Sequence, residues 1–244
     1  MSIEAGLQRY EALNDQIRAE LTKKSRITVK DVNGQRYIGC ALDSGKSIEI
    51  HGTPGNDLAC YLNGGKIVVY GSGQDAVGNT MNGGEIIIHG HSGDALGYGM
   101  RDGSIYVRDN VACRGGIHIK EFEQMKPVIV IGQNAGSFLG EYMAGGTIVL
   151  LGLNMKRGEK LFGTHCASGM HGGKIFVRGV FPKENLSQNI KVSSLTKEDE
   201  KELEGYVKKY CRYFGADFKE IMAKPFKKLS PATSRPYANL YTPN

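Results

Sequence analysis

The segment KIVVYG at residues 66–71 decides the fold, because variants of it recur along the chain at a fixed distance. SIEIHG starts at residue 47, EIIIHG at residue 85 and SIYVRD at residue 104, so the repeat length is 19 residues. A unit this short holds one strand and a turn or two but no crossover helix, which is typical of a chain that coils on itself. The sequence therefore predicts an all-β core built as a parallel β-helix.

Later copies of the segment are less evenly spaced. PVIVIG starts at residue 127, TIVLLG at 147 and KIFVRG at 174, so successive starts are 23, 20 and 27 residues apart. A solenoid accepts such insertions as loops that leave one corner while its coils stay stacked. The complete set predicts about seven coils.

The second and fourth residues of every copy are branched aliphatic, whereas the third and fifth vary. These fourteen positions are Ile48, Ile67, Ile86, Ile105, Val128, Ile148, Ile175, Ile50, Val69, Ile88, Val107, Val130, Leu150 and Val177. Because successive side chains of a strand face opposite ways, the pattern predicts two inward ladders with a spacing of about 4.8 Å. The outward columns become apolar at Ile129, Ile131, Val149 and Leu151. They are the predicted docking face for a partner.

Glycine pairs and a second apolar ladder accompany the strands. Gly64-Gly65 and Gly83-Gly84 precede two of the copies, and glycine supplies the positive φ that tight corners need. The second ladder, with a small residue three places before each member, consists of Leu62, Met81, Met100, Met143 and Met170. We expect it to point inward beside a closely packed corner.

The two ends of the chain read as caps, which a solenoid needs over its terminal coils. Apolar residues at helical spacing predict an amphipathic helix from Ile3 to about Lys23, and Asn33-Gly34 predicts a hairpin within residues 27–38. A capping box of Thr196 and Asp199 predicts a second helix, followed by an extended basic arm that stabilises an assembly more than the fold. The predicted divisions are 1–26, 27–180 and 181–244.

Composition limits the partners. The net charge is +6, and residues 221–244 carry four basic residues and no acid, which leaves 6 − 4 = +2 for the rest. A nearly neutral body argues against a nucleic-acid groove. With no membrane-spanning apolar run and no signal pattern, the expected location is the cytoplasm. The five cysteines are scattered without a CxxC pair, so neither zinc nor a disulfide framework is predicted.

Two stretches imitate ligand-binding motifs. Residues 66–76 read as a strand followed by G-x-G-x-x-A, a dinucleotide fingerprint, but the fingerprint requires a helix and the next strand copy starts at residue 85. His89 and His91 form an HxH pair, with His51 two coils away. We expect solvated strand positions there instead of a metal site.

Two further groups imitate catalytic residues. Cys166 follows His165, but neighbours on an extended segment point apart, so packing is the favoured interpretation. Asp75 and Asp94 share a column with Asn56, and Asp57 lies one place on, which resembles a carboxylate stack. We expect Asx turns that cap their own backbone. No catalytic, cofactor-binding or metal-binding residue is therefore predicted in this chain.

Glycine-rich blocks in a fixed order carry a family resemblance. GNDLACYLNGG, QDAVGNTMNGGEIIIHG, SGDALGYGMRDG, FLGEYMAGG and SGMHGG resemble the GXGXG domain of the glutamate synthase large subunit over about residues 27–180. The resemblance implies a right-handed parallel β-helix that is structural and has no activity alone. It implies as partners a glutamine amidotransferase subunit and a synthase subunit that carries FMN and an iron–sulfur cluster. A homo-oligomer is also compatible with it.

The resemblance leaves other assemblies open. Split enzymes that make N-methylglutamate use similar subunits, and the β-helical subunit of formylmethanofuran dehydrogenase shares the repeat. GEYMAGG and GNTMNGG are closer to glutamate synthase. An independent enzyme of the hexapeptide acyltransferase type is disfavoured, since those coils have 18 residues made of six-residue units and this period is 19.

Overall fold

The structure is a computed structural model that describes residues 2–235. Within that range, eleven strands form one sheet in the order β1-β2-β3-β4-β5-β6-β7-β8-β9-β11-β10. The strands are β1 (Ser2–Glu4), β2 (Arg26–Asn33), β3 (Ser47–Thr53), β4 (Asn63–Tyr70), β5 (Asn82–Ile88), β6 (Asp102–Val107), β7 (Val128–Ile131), β8 (Ala144–Leu150), β9 (Gly172–Arg178), β10 (Ile190–Ser193) and β11 (Phe226–Pro231). The helices are α1 (Tyr10–Lys23), α2 (Lys197–Phe214) and α3 (Phe218–Met222), with a 3₁₀ turn at Lys183–Asn185.

Strands β3 to β9 are the seven predicted copies, and each pairs in parallel with the next. Ile48 lies beside Ile67, Ile67 beside Ile86, and Ile86 beside Ile105. The predicted all-β parallel solenoid is confirmed. It makes about six turns, slightly fewer than the seven coils predicted.

The predicted register of β7 is wrong by one residue. Ile105 pairs with Ile129 and Val107 with Ile131, so these two isoleucines join the interior ladders. Val128 and Val130 face outward instead, in register with Ser104 and Tyr106 respectively. Four successive branched residues gave no alternation from which to choose the inward pair, and a one-residue slip reverses both faces.

The N-terminal prediction needs two corrections. Helix α1 begins at Tyr10 and not at Ile3. Ile3 belongs instead to β1, which pairs in parallel with β2. The predicted hairpin does not form, because β2 pairs in parallel with β3 and the chain leaves the sheet after Asn33. Ile27 lies beside Ile48, so burial in the ladder outweighs the local turn signal.

The basic arm after residue 225 is part of the fold. Strand β11 pairs antiparallel with both β9 and β10, and it buries Leu229 in the solenoid core. It covers the hydrogen-bonding edge that β9 would otherwise leave open. The expectation that the arm serves assembly more than the fold is therefore wrong for residues 226–231. The rest of the arm, residues 236–244, lies outside the described residues.

The second ladder points inward as predicted, and the structure adds Ile119 to it. Ala144 N–H donates to Ile119 O, just as Lys120 N–H donates to Met100 O and His171 N–H to Met143 O. Ile119 is fully buried, so it fills the coil in which the sequence pattern showed no member.

Each coil turns its corner through left-handed backbone at every second residue. In one coil these residues are Ala76 (φ 57°), Gly78 (φ 70°) and Thr80 (φ 54°). A Cβ added at Gly78 would lie 2.7 Å from Ile105 Cδ1. Glycine adopts this φ without strain and leaves room for the ladder, and only the equally small Ala59 and Ala167 replace it at the equivalent position of other described coils.

The ladders predict a sharp contrast between faces. Ile86→Asp places a carboxylate between Ile67 and Ile105, and we expect it to lower the free energy of unfolding by about 4 kcal/mol or more. Val68→Glu is the control, because Val68 is only half-buried and Glu49 already occupies the same outward column. We expect a loss below about 1 kcal/mol for the control. Equal losses in urea unfolding would contradict the inward assignment.

Strand β11 gives a second stability prediction. Leu229 is fully buried, so Leu229→Ala should lower the free energy of unfolding by about 2–4 kcal/mol. Lys227 is exposed on the same strand, and Lys227→Ala should change it by no more than about 0.5 kcal/mol. Unfolding monitored by circular dichroism distinguishes the two. A negligible effect of Leu229→Ala would show that β11 does not contribute to the fold.

Candidate partner-binding surface

The dinucleotide-like segment is an ordinary coil. β4 ends at Tyr70 and the next element is β5, so no helix follows the glycines, as expected. A Cβ at Gly71 would lie 2.1 Å from Gly52 O of the preceding coil. Gly71 is thus explained by the close stacking of backbones, and the segment offers no helix N-terminus to a phosphate.

The histidines lie in stacked outward columns. The Tyr70 ring stacks between His51 and His89, with centroid distances of 4.9 and 4.7 Å. His91 Nδ1 lies 2.9 Å from Ser72 Oγ. Across the part of the chain that the structure describes, no group of three or more His, Cys, Asp or Glu side chains is placed to hold a metal ion.

The Cys166 thiol is fully buried in the solenoid interior, and burial raises its pKa well above the ordinary value. His165 points away from it and stacks on Phe138, with 4.9 Å between the ring centroids. A protonated, inaccessible thiol without a neighbouring base is not a nucleophile. Packing is therefore its role, as the sequence indicated.

The carboxylate column serves the backbone of the following coil. Asp94 N–H donates to Asp75 Oδ1 at 2.9 Å, and Cys113 N–H donates to Asp94 Oδ1 at 2.8 Å. Asp75 N–H in turn donates to Asn56 Oδ1 at 3.3 Å. The shared column is confirmed, but each side chain caps the next coil, and the expectation that it caps its own backbone is wrong. These hydrogen bonds link successive coils.

The predicted apolar docking face is covered by the chain's own C-terminal helices. Val128, Val130, Val149, Leu151 and Phe176 form one buried cluster with side chains of the C-terminal segment. Those side chains are Leu203, Val207, Tyr210, Ile221 and Phe226. Ile131 lies in the interior, and Leu151 is fully buried. The prediction that these columns receive a partner is wrong.

Charged groups fasten the N-terminal end of α2 to the sheet. Lys174 Nζ lies 2.5 Å from Glu202 Oε2 and 3.5 Å from Asp199 Oδ1, and Lys228 also binds Asp199. Burial raises the pKa of both carboxyl groups, but the hydrogen bonds from Lys228 and Lys174 outweigh it and hold both pKa values below the ordinary range. Both carboxylates are therefore ionised at neutral pH.

The C-terminal end of α2 is fastened in a similar way. Tyr213 Oη donates to Glu85 Oε1 at 2.6 Å, and Lys66 lies 2.9 Å from Glu85 Oε2. Tyr210 Oη donates to Arg108 O at 2.8 Å.

No helix in residues 2–235 is long and apolar enough to cross a membrane, and the apolar side of α2 is buried against the sheet.

An exposed surface at the corners carries large side chains in two stacks, which we call the ring face. It consists of Arg114, His118, Phe138, Tyr142 and His165. The Arg114 guanidinium lies 5.3 Å from the Phe138 centroid, and His165 stacks on the other side of Phe138. His118 and Tyr142 stack at 5.1 Å, with 13° between their planes. Sequence reasoning missed this surface, because the side chains come together only when three coils stack.

All five ring-face residues have left-handed backbone, with φ between 51° and 62°. That conformation costs a residue other than glycine about 1–2 kcal/mol. Glycine takes the same conformation elsewhere in the coils, for example at Gly99 and Gly169. Other coils also carry residues other than glycine at these positions, such as Ala76 and Thr80, so the conformation alone does not mark the surface. Its cluster of aromatic and arginine side chains does, because Tyr and Arg are enriched at protein interfaces. The ring face is the candidate partner-binding surface.

These features define a class of protein, the parallel β-solenoid whose polar groups are used to join its coils. The model of the GXGXG motif family matches residues 7–234, so the chain belongs to the GXGXG motif family. An uncharacterized protein of Methanocaldococcus jannaschii is 39% identical over 251 residues, which cover 99% of this chain and 96% of that protein.

Among solved structures, the chain resembles one in the formyltransferase/hydrolase complex of Methylorubrum extorquens in complex with methylofuran. The TM-score is 0.64 and the identity 20%, over 87% of this chain and 76% of that chain. This likeness shows the fold.

The α2 contacts predict an acid-sensitive helix. The pKa values of Asp199 and Glu202 are lowered on folding, so their contribution is complete above the ordinary values of 3.8 and 4.5 and is lost as the pH falls through the lower folded-state values. Lys174→Met should weaken this dependence below about pH 4.5. Lys208→Met is the control, because the ion pair of Lys208 is with the exposed Glu204 of the same helix, and its Nζ lies 5.3 Å from the Phe218 ring centroid. Identical stability profiles for both variants, measured by urea unfolding against pH, would contradict this role.

Proposed function

We propose that this chain is a non-catalytic scaffold subunit of a split glutamate synthase. In this proposal it holds a glutamine amidotransferase subunit and an FMN- and iron–sulfur-containing synthase subunit together in the cytoplasm. The partners hydrolyse glutamine and use the ammonia to convert 2-oxoglutarate to glutamate. The FMN and the cluster belong to the partner, and nucleic acid has no part in the assembly.

The observation that carries the proposal is the GXGXG family match over residues 7–234. The blocks GNTMNGG and GEYMAGG, which resemble glutamate synthase more than formylmethanofuran dehydrogenase, form the corners that lead into β5 and β8. Two of the side chains that imitate catalytic groups serve the fold, since the Asp94 carboxylate accepts a hydrogen bond from Cys113 N–H and the Cys166 thiol is buried in the core. In this proposal the chain positions its partner subunits and carries out no chemistry itself.

The ring face is the surface that we assign to the partners. Helix α2 occupies the apolar sheet face, so the partner contact must use another surface of the coils. On the ring face, Glu141 is nearly buried and pairs with Arg114 at 3.2 Å, whereas His118 and His165 are exposed. Lys120 adds exposed positive charge two residues after His118, and Arg101 is exposed at the equivalent position of the preceding coil. A partner surface that carries acidic side chains is complementary to it.

Two other assemblies are second candidates. One is the equivalent subunit of N-methylglutamate synthase, which would bind its partners through the same surfaces in an enzyme that acts on a different amine. A scaffold like the β-helical subunit of formylmethanofuran dehydrogenase is favoured by the fold likeness to a formyltransferase/hydrolase complex. The genes beside this one discriminate, since glutaminase and FMN-synthase genes support the first proposal and molybdenum or tungsten subunits support the last.

Reconstitution tests the proposal. The chain is co-expressed with the glutaminase-type and FMN-synthase-type subunits of its own genome, and we expect co-purification and glutamine-dependent glutamate formation. The chain alone should neither hydrolyse glutamine nor oxidise a nicotinamide cofactor. Turnover by the lone chain would overturn the scaffold role. Co-purification with formylmethanofuran dehydrogenase subunits instead would select the second candidate.

Variants of the ring face test the docking surface in the same complex. Phe138→Ala with Tyr142→Ala should weaken assembly by about 2 kcal/mol or more, or about 30-fold in Kd, because both side chains are interface anchors. Tyr61→Ala is the matched control, since Tyr61 is 52% exposed at the position equivalent to Tyr142 on a distant coil. Binding is measured by titration of the labelled subunit. Equal affinities for the wild type and the double variant would place the partner elsewhere.

A further inference from the structure

Cys40 and Cys60 occupy equivalent positions on neighbouring coils. Each amide donates to the carbonyl three residues earlier, Cys40 N–H to Tyr37 O and Cys60 N–H to Asp57 O, both at 3.2 Å. Ala41 N–H donates to Cys60 O at 2.9 Å, which fixes the two coils in register. Stacked coils place equivalent residues about 4.8 Å apart, within the Cα separation of about 4.4–6.8 Å that a disulfide requires.

Cys40 is the more accessible of the two cysteines. Cys60 is 4% exposed, whereas Cys40 is half-buried and lines a cavity of about 460 Å³ between α1 and the first coils. Ile17 and Leu21 of α1 form the apolar wall of this cavity, and Arg18 is among its charged residues. A small oxidant can therefore reach Cys40 from solvent without any opening of the coils.

The surroundings of the two thiols also determine which of them reacts first. Burial, followed by the neighbouring Cys40 thiol, raises the pKa of Cys60 to about 12, and the Asp57 carboxylate acts in the same direction. Because the thiolate is the nucleophile that attacks peroxide, the raised pKa slows the oxidation of Cys60. Cys40 is then the site of first oxidation, and Cys60 is held next to it as the resolving thiol.

The other cysteines have no such neighbour. Cys166 is fully buried in the interior, and Cys113 is exposed on the corner column of Asp94. Cys211 lies on α2, which covers the sheet face. Cys40 and Cys60 are therefore the pair whose positions suit intramolecular chemistry.

We propose that Cys40 and Cys60 are a thiol–disulfide pair that links the first two coils when the protein meets a peroxide. The Cys40 thiolate attacks one oxygen of hydrogen peroxide, the O–O bond breaks, and after proton transfer the products are Cys40 sulfenic acid and water. The Cys60 thiolate then attacks the Cys40 sulfur, the S–O bond breaks, and a second water leaves. The two sulfurs together lose two electrons, and the peroxide gains two. A thiol reductant reverses the link.

The link would act on the end of the solenoid that α1 covers. Leu13 and Ile17 of α1 are buried against the first coils, and Lys46 Nζ donates to Leu21 O at 2.6 Å near the end of that helix. A covalent bond between the two coils prevents them from separating. It therefore also stabilises the surface of these coils on which α1 packs. The pair is thus a modification site that reports the redox state at the capped end.

Peroxide treatment of the whole protein tests the proposal. The Cys113→Ser background removes the exposed thiol that could link two copies, and it leaves four of the five cysteines. We expect hydrogen peroxide to lower the count of free thiols in this background from four to two. Mass spectrometry should show a Cys40–Cys60 peptide that has lost two hydrogen atoms, and dithiothreitol should restore both thiols.

Dimedone, which traps sulfenic acids, gives the second readout. In Cys60→Ala on the same background, Cys40 has no resolving thiol, and we expect its dimedone adduct to accumulate. The adduct should be largely absent when Cys60 is present. Cys40→Ser is the reverse control, in which Cys60 should keep its free thiol. Equal dimedone labelling with and without Cys60, and no linked peptide, would overturn the proposal, as would oxidation of Cys60 in Cys40→Ser.

Discussion

The stacking of each coil in register on the one before it is the constraint on which the rest of the structure depends. Interior ladders bring like side chains together, as in the row of Ile48, Ile67, Ile86 and Ile105. Backbone amides at the corners donate to the preceding coil, for example Gly78 N–H to Leu58 O at 2.9 Å. Each residue contacts the equivalent residue on the coil before it and on the coil after it. Its side chain must therefore pack against both neighbouring coils.

The same stacking explains the glycine-rich corners. The corner backbone is left-handed at alternate residues, and at the middle position the isoleucine ladder lies so close that Gly97 has no room for a Cβ, with Ile129 Cδ1 at 2.7 Å. At the outer positions there is room, and large side chains such as Phe138 occur there. The small residues at the middle positions of this chain thus follow from packing, and the outer positions beside them have room for large side chains.

Helix α2 changes which surfaces are available. It takes the apolar sheet face, and its carboxylates Asp199 and Glu202 reach the lysines of the last strands. A solenoid with that face open would expose contiguous aliphatic side chains to water, which soluble proteins rarely do. The chain therefore completes its own core with its C-terminal segment, and the ring face remains uncovered by that segment.

The sequence by itself determined the solenoid, its inward ladders and the capping box of Thr196, because these depend on local alternation, repeat length and residue chemistry. The tertiary structure decided the register of β7, where Ile129 and Val130 are equally apolar and only the neighbouring coil selects the inward residue. It also decided that β2 continues the ladder and that β11 closes the last edge. The ring face and the Cys40–Cys60 pair join residues about 20 or more positions apart, so they exist only when coils stack.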